Sequence, residues 1–178
     1  MSVARNVQMK ARVANLSRLR VKVGSLAPAP PEALVQTDTF FVVPRGRLKL
    51  REFSDGSGEL IFYERPDLAG PKESLYVRCA CSDPKAVSAV LGQALGVRGV
   101  VEKRRELFMI DRSRVHLDEV RGLGSFLEIE VVLGDGDTAA EGERIARELL
   151  AALGVPESAL VAHAYIDLLE ELSNQEDR

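Results

Sequence analysis

Residues 123–133, Leu-Gly-Ser-Phe-Leu-Glu-Ile-Glu-Val-Val-Leu, constrain this chain more than any other stretch. With the two-residue period of a strand, Leu127, Ile129, Val131 and Leu133 fall on one face and Phe126, Glu128 and Glu130 on the other. Two carboxylates one strand repeat apart stand roughly 7 Å from each other, within reach of one divalent cation or its water shell. An ordinary antiparallel strand with one wet face gives the same pattern, so the neighbouring segments have to decide.

The same alternation recurs along the chain. In residues 3–13, Val7, Met9, Ala11 and Val13 oppose Asn6, Gln8, Lys10 and Arg12. Further strands are expected at residues 36–43, 47–53, 59–65, 74–81, 99–110 and 114–120. Arg47, Lys49 and Arg51 share one face, as do Lys103 and Arg105, and as do Arg114, His116 and Asp118. Helices punctuate the strands. Asn15 caps a helix over 16–23 that Gly24 stops, and Asp83-Pro84 opens one that Gly96 closes. Thr138 and Glu141 spell a capping box for 139–153. A last helix is expected at 165–172, inside a single domain over 1–172, with 173–178 a frayed, flexible tail.

Eight strands therefore carry helices after the first, fifth and eighth. Each helix has one apolar stripe, which the aliphatic strand faces can cover. That arrangement turns the charged faces inward. The expected fold is α+β, an eight-stranded antiparallel β-barrel with helices packed outside and a hydrated, charged interior. Buried charges of one sign are costly without a partner, so such an interior needs a ligand: phosphates for Lys and Arg, a cation for Glu. The pattern alone leaves a solvated sheet with surface salt bridges equally open.

Composition removes other classes. The 24 basic and 27 acidic residues give a net charge of −3, which does not favour general nucleic-acid binding. No apolar run approaches the roughly 18 residues of a membrane span, and no signal-peptide pattern opens the sequence. Cys79 and Cys81 form a C-x-C in a strand, poorly spaced for a disulfide, and His116 and His163 are too few to complete a thiolate zinc site. A cytoplasmic protein with reduced thiols is expected.

Taken in order, these segments resemble the CYTH domain, or triphosphate tunnel metalloenzyme, family. The resemblance runs from residues 6–12 through 36–41, 46–52, 63–66 and 103–105 to 116–118, 122–130 and 165–169, and is strongest to the class IV adenylate cyclase-like branch. No single piece is specific; their order and spacing are. The resemblance implies a tunnel that binds a triphosphate with Mg²⁺ or Mn²⁺. It implies phosphate contacts from Lys10, Lys49, Arg51, Arg65, Lys72, Lys103, Arg105 and Arg114. Of these, Lys10, Arg51, Lys103, Arg105 and Arg114 are the catalytic candidates. Arg65 and Lys72 sit beside loops, where a structural role weighs equally. Glu128 and Glu130 match the metal-holding pair, with Asp118 and Gln8 as further ligand candidates.

One departure matters. The family's Glu-x-Glu-x-Lys signature reads Asn6, Gln8 and Lys10 here. Amide oxygens can ligate a hard cation but bring no charge, so weaker metal binding and lost activity are expected. The substrate would be ATP, tripolyphosphate or thiamine triphosphate. Attack by a ribose hydroxyl on ATP gives cyclic AMP and pyrophosphate; attack by water makes a triphosphatase. A degenerate tunnel that senses nucleotide or polyphosphate is the rival, and a purely structural domain the third class. Phe40, Phe41, Phe62 and Tyr63 are expected to pack rather than to form an adenine pocket. Strand edges of an imperfectly closed barrel suggest a homodimer.

Overall fold

The structure, a computed structural model, describes residues 3–176. Its strands are β1 (Ala4–Arg12), β2 (Glu32–Phe41), β3 (Arg47–Phe53), β4 (Gly58–Glu64), β5 (Lys72–Cys81), β6 (Val97–Ile110), β7 (Ser113–Val120) and β8 (Gly124–Leu133). They close into an antiparallel barrel in the order β1-β5-β4-β3-β2-β6-β7-β8. Hairpin neighbours pair in sequence, while β1 joins β5 to β8 and β2 bonds to β6, which closes the ring. With each strand paired on both sides, the open edges expected to favour a dimer are absent among the described residues.

Outside the ring lie α1 (Leu16–Leu26), α2 (Pro84–Leu95), α3 (Ala139–Leu153) and α4 (Tyr165–Glu176), with a short 3-10 turn at Glu157–Ala159. The caps are those the sequence indicated. Asn15, Asp83 and Thr138 side chains each accept the amide three residues on, bonds worth typically about 1 kcal/mol apiece. Gly24 does not stop α1; with nothing within 4 Å of a Cβ built there, the helix runs on to Leu26 and ends where Ala27 turns extended. Residues 173–176, expected to fray, continue α4, and residues 177–178 of that expected tail lie outside the described residues.

Two apolar clusters hold the assembly. Leu19 and Val23 of α1 and Ala146, Leu150 and Leu153 of α3 pack with Met9, Leu117, Leu127, Ile129 and Val131 on the outer barrel face. The aliphatic half of the alternation is thus spent outward. α3 sits so close that a Cβ on Gly142 would stand 2.8 Å from Val7 Cγ2 and 3.0 Å from Leu133 Cδ2, so only glycine permits this approach. The second cluster joins Phe40, Val101, Val120, Leu123 and Phe126 to Ala164, Tyr165, Ile166 and Leu168. It plugs one end of the barrel with the start of α4. No helix among the described residues is long and apolar enough to cross a membrane.

Candidate functional site

The polar half of the alternation points into the barrel and surrounds a cavity of about 370 Å³. Among the described residues, eight basic side chains line it, Lys10, Lys49, Arg51, Arg65, Arg78, Lys103, Arg105 and Arg114, against five carboxylates, Glu32, Asp38, Glu59, Glu128 and Glu130. The excess of positive charge in a partly enclosed space suits a polyanion. Asn6, Gln8 and His116 are neutral or weakly basic members of the same wall.

These charges are arranged in two groups. On one side, Asp38 of β2 accepts hydrogen bonds from Lys49 Nζ at 2.9 Å, Lys103 Nζ at 2.8 Å, Arg51 Nε at 2.7 Å and Arg51 Nη2 at 2.8 Å. Strand register explains the convergence: Asp38 lies opposite Arg51 on β3, and β6 brings Lys103 opposite Gln36, one same-face step away. Burial disfavours the Asp38 carboxylate, but Arg51, Lys103 and Lys49 outweigh it and hold its pKa well below the usual range. Burial likewise drives Lys103 well below an ordinary lysine, opposed by Asp38. Asp38 is a site residue that reading single strands missed, as are Glu32, Glu59 and Arg78. The signal available for Asp38 was a lone carboxylate in an otherwise uncharged β-former run facing three basic strand positions.

On the other side, Arg105 of β6 donates to Asp118 Oδ1 and Oδ2 at 2.6 Å each and to Glu128 Oε2 at 2.7 Å. Tyr165 OH donates to Asp118 Oδ2 at 2.8 Å. Asp118, expected as a metal candidate, is fully buried behind Arg105 with both oxygens engaged, and it does not line the cavity. It holds Arg105 in place. Lys10 lies 3.8 Å above the Tyr165 ring, a cation–π contact, and is driven down to about 8 chiefly by burial, against the attraction of Glu128.

Glu128 and Glu130 share the cavity face of β8, with Lys10 and Gln8 opposite them on β1 and His116 and Arg114 on β7. Burial opposes both carboxylates. Lys10 and Arg105 nevertheless hold Glu128 far below the usual range, and His116 holds Glu130 at about 2. Glu128 has one oxygen committed to Arg105. Glu130 is less engaged: its basic neighbours, Arg114 Nη1 and His116 Nε2, each stand 3.6 Å away, beyond a direct hydrogen bond.

Arg65 and Lys72 are placed differently from the rest. Arg65 Nη1 and Lys72 Nζ both donate to Ala162 O, at 3.1 and 3.0 Å, and Lys72 also to Leu68 O at 2.6 Å. They tie down the segment leading into α4. Arg65 still lines the cavity, while Lys72 lies outside its wall. Among the aromatic residues expected to pack, Phe40 and Phe41 are both buried, and Phe40 and Tyr63, while packed in the second cluster, also line the cavity and share the Lys49 ammonium, at 5.6 and 5.7 Å. Phe53 and Tyr76 line it too. Cys79 and Cys81 are free thiols.

Among the described residues, the metal-like grouping of three is elsewhere: Asp67, His163 and Asp167. Arg47 donates to both aspartates, at 2.7 and 2.8 Å, and Arg98 adds a bond to Asp167 at 2.8 Å, so these carboxylates already have counterions. In the cavity the oxygen donors of Glu128 and Glu130 and the orphaned Asn6 Oδ1 and His116 nitrogens suit a divalent cation.

Comparison with known proteins agrees with the barrel fold. The family model described as CYTH domain matches residues 4–165. A solved protein from Pyrococcus horikoshii OT3 shares 26% identity over 92% of this chain and 98% of its own, with a TM-score of 0.83. A proposed adenylate cyclase from Vibrio parahaemolyticus is 19% identical over 93% of this chain and 97% of its own, with a TM-score of 0.72. A proposed adenylyl cyclase from Hippeastrum, described as having a dominant triphosphatase activity, is 14% identical over 94% of this chain and 95% of its own, with a TM-score of 0.64. No curated protein matches the chain.

Proposed function

The chain belongs to the CYTH domain family, and from that premise we propose that it binds the triphosphate group of a small molecule inside its barrel and breaks a phosphoanhydride bond there. The observation that carries this reading is the cavity itself, where eight cations face five carboxylates. A chain of phosphates supplies the missing negative charge, and Lys and Arg forks match its oxygens. A cytoplasmic location, where nucleotides and polyphosphates are available, fits the reading.

Each residue has a part in it. Lys49, Arg51 and Lys103 would trade their shared hold on Asp38 for phosphate oxygens. Arg105 on β6, fixed by Asp118, and Arg114 on β7 would neutralise the same anion from the adjoining strands. Lys10 would place a desolvated ammonium beside the scissile bond, where charge develops. Glu128 and Glu130 would hold Mg²⁺ or Mn²⁺, which lends charge neutralisation at the phosphoryl oxygens. In-line attack by the ribose hydroxyl of ATP on the α-phosphorus yields cyclic AMP and pyrophosphate; attack by water on the terminal phosphorus yields phosphate, with pyrophosphate leaving from tripolyphosphate or thiamine diphosphate from thiamine triphosphate.

A second reading, a tunnel that binds without turnover, draws support from Asn6 and Gln8, both on the cavity wall where the family signature has glutamates. Incubation with ATP, tripolyphosphate and thiamine triphosphate, with Mg²⁺ or Mn²⁺, separates the cases when cyclic AMP and phosphate are scored independently. Thermal stabilisation by tripolyphosphate without either product selects the sensor, and no stabilisation by any of the three overturns triphosphate binding.

A further inference from the structure

His116 is the one imidazole in the cavity wall, and it is only 4% exposed. Neither Nδ1 nor Nε2 has a hydrogen-bond partner among the described residues. An imidazole always offers a donor or a lone pair at each nitrogen, and buried polar groups without partners are rare in native folds. Nε2 stands 3.6 Å from Glu130 Oε2. That is too far for a charge-assisted hydrogen bond, which spans about 2.7–2.9 Å. It is close to the separation of two ligands of one ion: donors about 2.1 Å from a metal at tetrahedral angles stand about 3.4 Å apart.

The neighbouring carboxylates leave room for this role. Asp118 is saturated by Arg105 and Tyr165, and Glu128 keeps one oxygen clear of Arg105. On β1 the adjoining Gln8 is an amide, so the wall lacks the charge of an all-carboxylate site.

Resting on the triphosphate reading, we propose that His116 is itself a ligand of the divalent cation, together with Glu130. A nitrogen donor changes which cation the site prefers. Mg²⁺ is a hard ion that takes oxygen ligands and gives up water reluctantly, whereas imidazole raises affinity for the later divalent metals along the Mn²⁺ to Zn²⁺ series. The site is therefore tuned away from Mg²⁺, and the imidazole supplies a donor atom, though no charge, on a wall where Asn6 and Gln8 are amides.

The test is electron spin-echo spectroscopy of Mn²⁺ bound to the full chain with tripolyphosphate. The His163→Ala background leaves His116 as the sole imidazole. The proposal expects ¹⁴N modulation that changes to the ¹⁵N pattern when histidine is ¹⁵N-labelled. By titration calorimetry it also expects Mn²⁺ to bind at least tenfold more tightly than Mg²⁺, with the ratio collapsing in His116→Gln. Bound Mn²⁺ without nitrogen modulation overturns the proposal, and so does failure of Mn²⁺ to bind. The spectroscopic arm needs no His116 variant, so a folding defect in His116→Gln cannot obscure the result. If tripolyphosphate still stabilises the protein in those failing cases, triphosphate binding survives; if it does not, both readings fall.

Discussion

Asp38 accepts the Lys103 ammonium at 2.8 Å inside the barrel, and the same carboxylate holds Lys49 and Arg51. Asp38 is an internal anion standing where we propose that phosphate binds. Its single negative charge is shared among three buried basic groups, Lys49, Arg51 and Lys103, and holds them together.

Asp38→Asn should therefore destabilise the free protein by about 3–5 kcal/mol, the cost typical of removing one partner from a buried ion pair. Tripolyphosphate should then restore more stability to the variant than it adds to the wild type, because the ligand replaces the missing anion. Urea unfolding with and without tripolyphosphate checks both. An equal ligand increment in the two proteins would show that Asp38 and phosphate do not share these cations.

Alkaline pH should weaken anion binding in a defined window. Burial lowers Lys10 and Lys72 to about 8 from 10.5. The folded state therefore binds these protons less well than the unfolded chain does. Their charged forms cost stability below pH 8, and that cost is relieved as pH rises from 8 to 10.5. Ligand affinity moves the other way, since neutral Lys10 no longer attracts phosphate. Tripolyphosphate binding should fall as pH rises through about 8 while these two groups contribute increasing stability to the free protein. Affinity that stays flat from pH 7 to 9.5 would remove Lys10 from the anion site.

Gln8 lines the cavity opposite Glu130, so Gln8→Glu adds one charge to the wall proposed to hold the metal. Metal-dependent turnover at sub-millimolar Mg²⁺ should rise in the variant, and Mg²⁺ affinity with it. Wild-type turnover equal to that of the variant would mean the amide carries no penalty.

Gly142→Ala probes the scaffold rather than the site. The new methyl would meet Val7 Cγ2 at 2.8 Å and Val7 Cβ at 3.1 Å. Overpacking of this kind costs about 1–3 kcal/mol, enough to exceed the roughly 1 kcal/mol gained from alanine's helix propensity. Thermal unfolding should show a net loss, with tripolyphosphate affinity unchanged.

Much of this was legible in the chain because strands carry their own facing. Alternation in residues 3–13 and 123–133 separated the aliphatic outer face from the charged wall, and the caps at Asn15, Asp83 and Thr138 are local hydrogen bonds that three or four residues specify. Relations across the barrel were not legible. Nothing local tells Asp118 that Arg105 will occupy both its oxygens, or Lys72 that the Ala162 carbonyl will lie within 3.0 Å. Those depend on strand register and on where α4 seats. Asp38 was overlooked for the same reason, since its three cations come from two neighbouring strands.

The most direct measurement is thermal unfolding of the protein with and without tripolyphosphate in Mn²⁺, repeated for Lys49→Ala and Arg114→Ala. If the cavity is a triphosphate site, ligand at a hundred times its dissociation constant adds about 2.7 kcal/mol to the wild type, and at that same concentration each variant gains less. No gain in the wild type, or an undiminished gain in both variants, would contradict it.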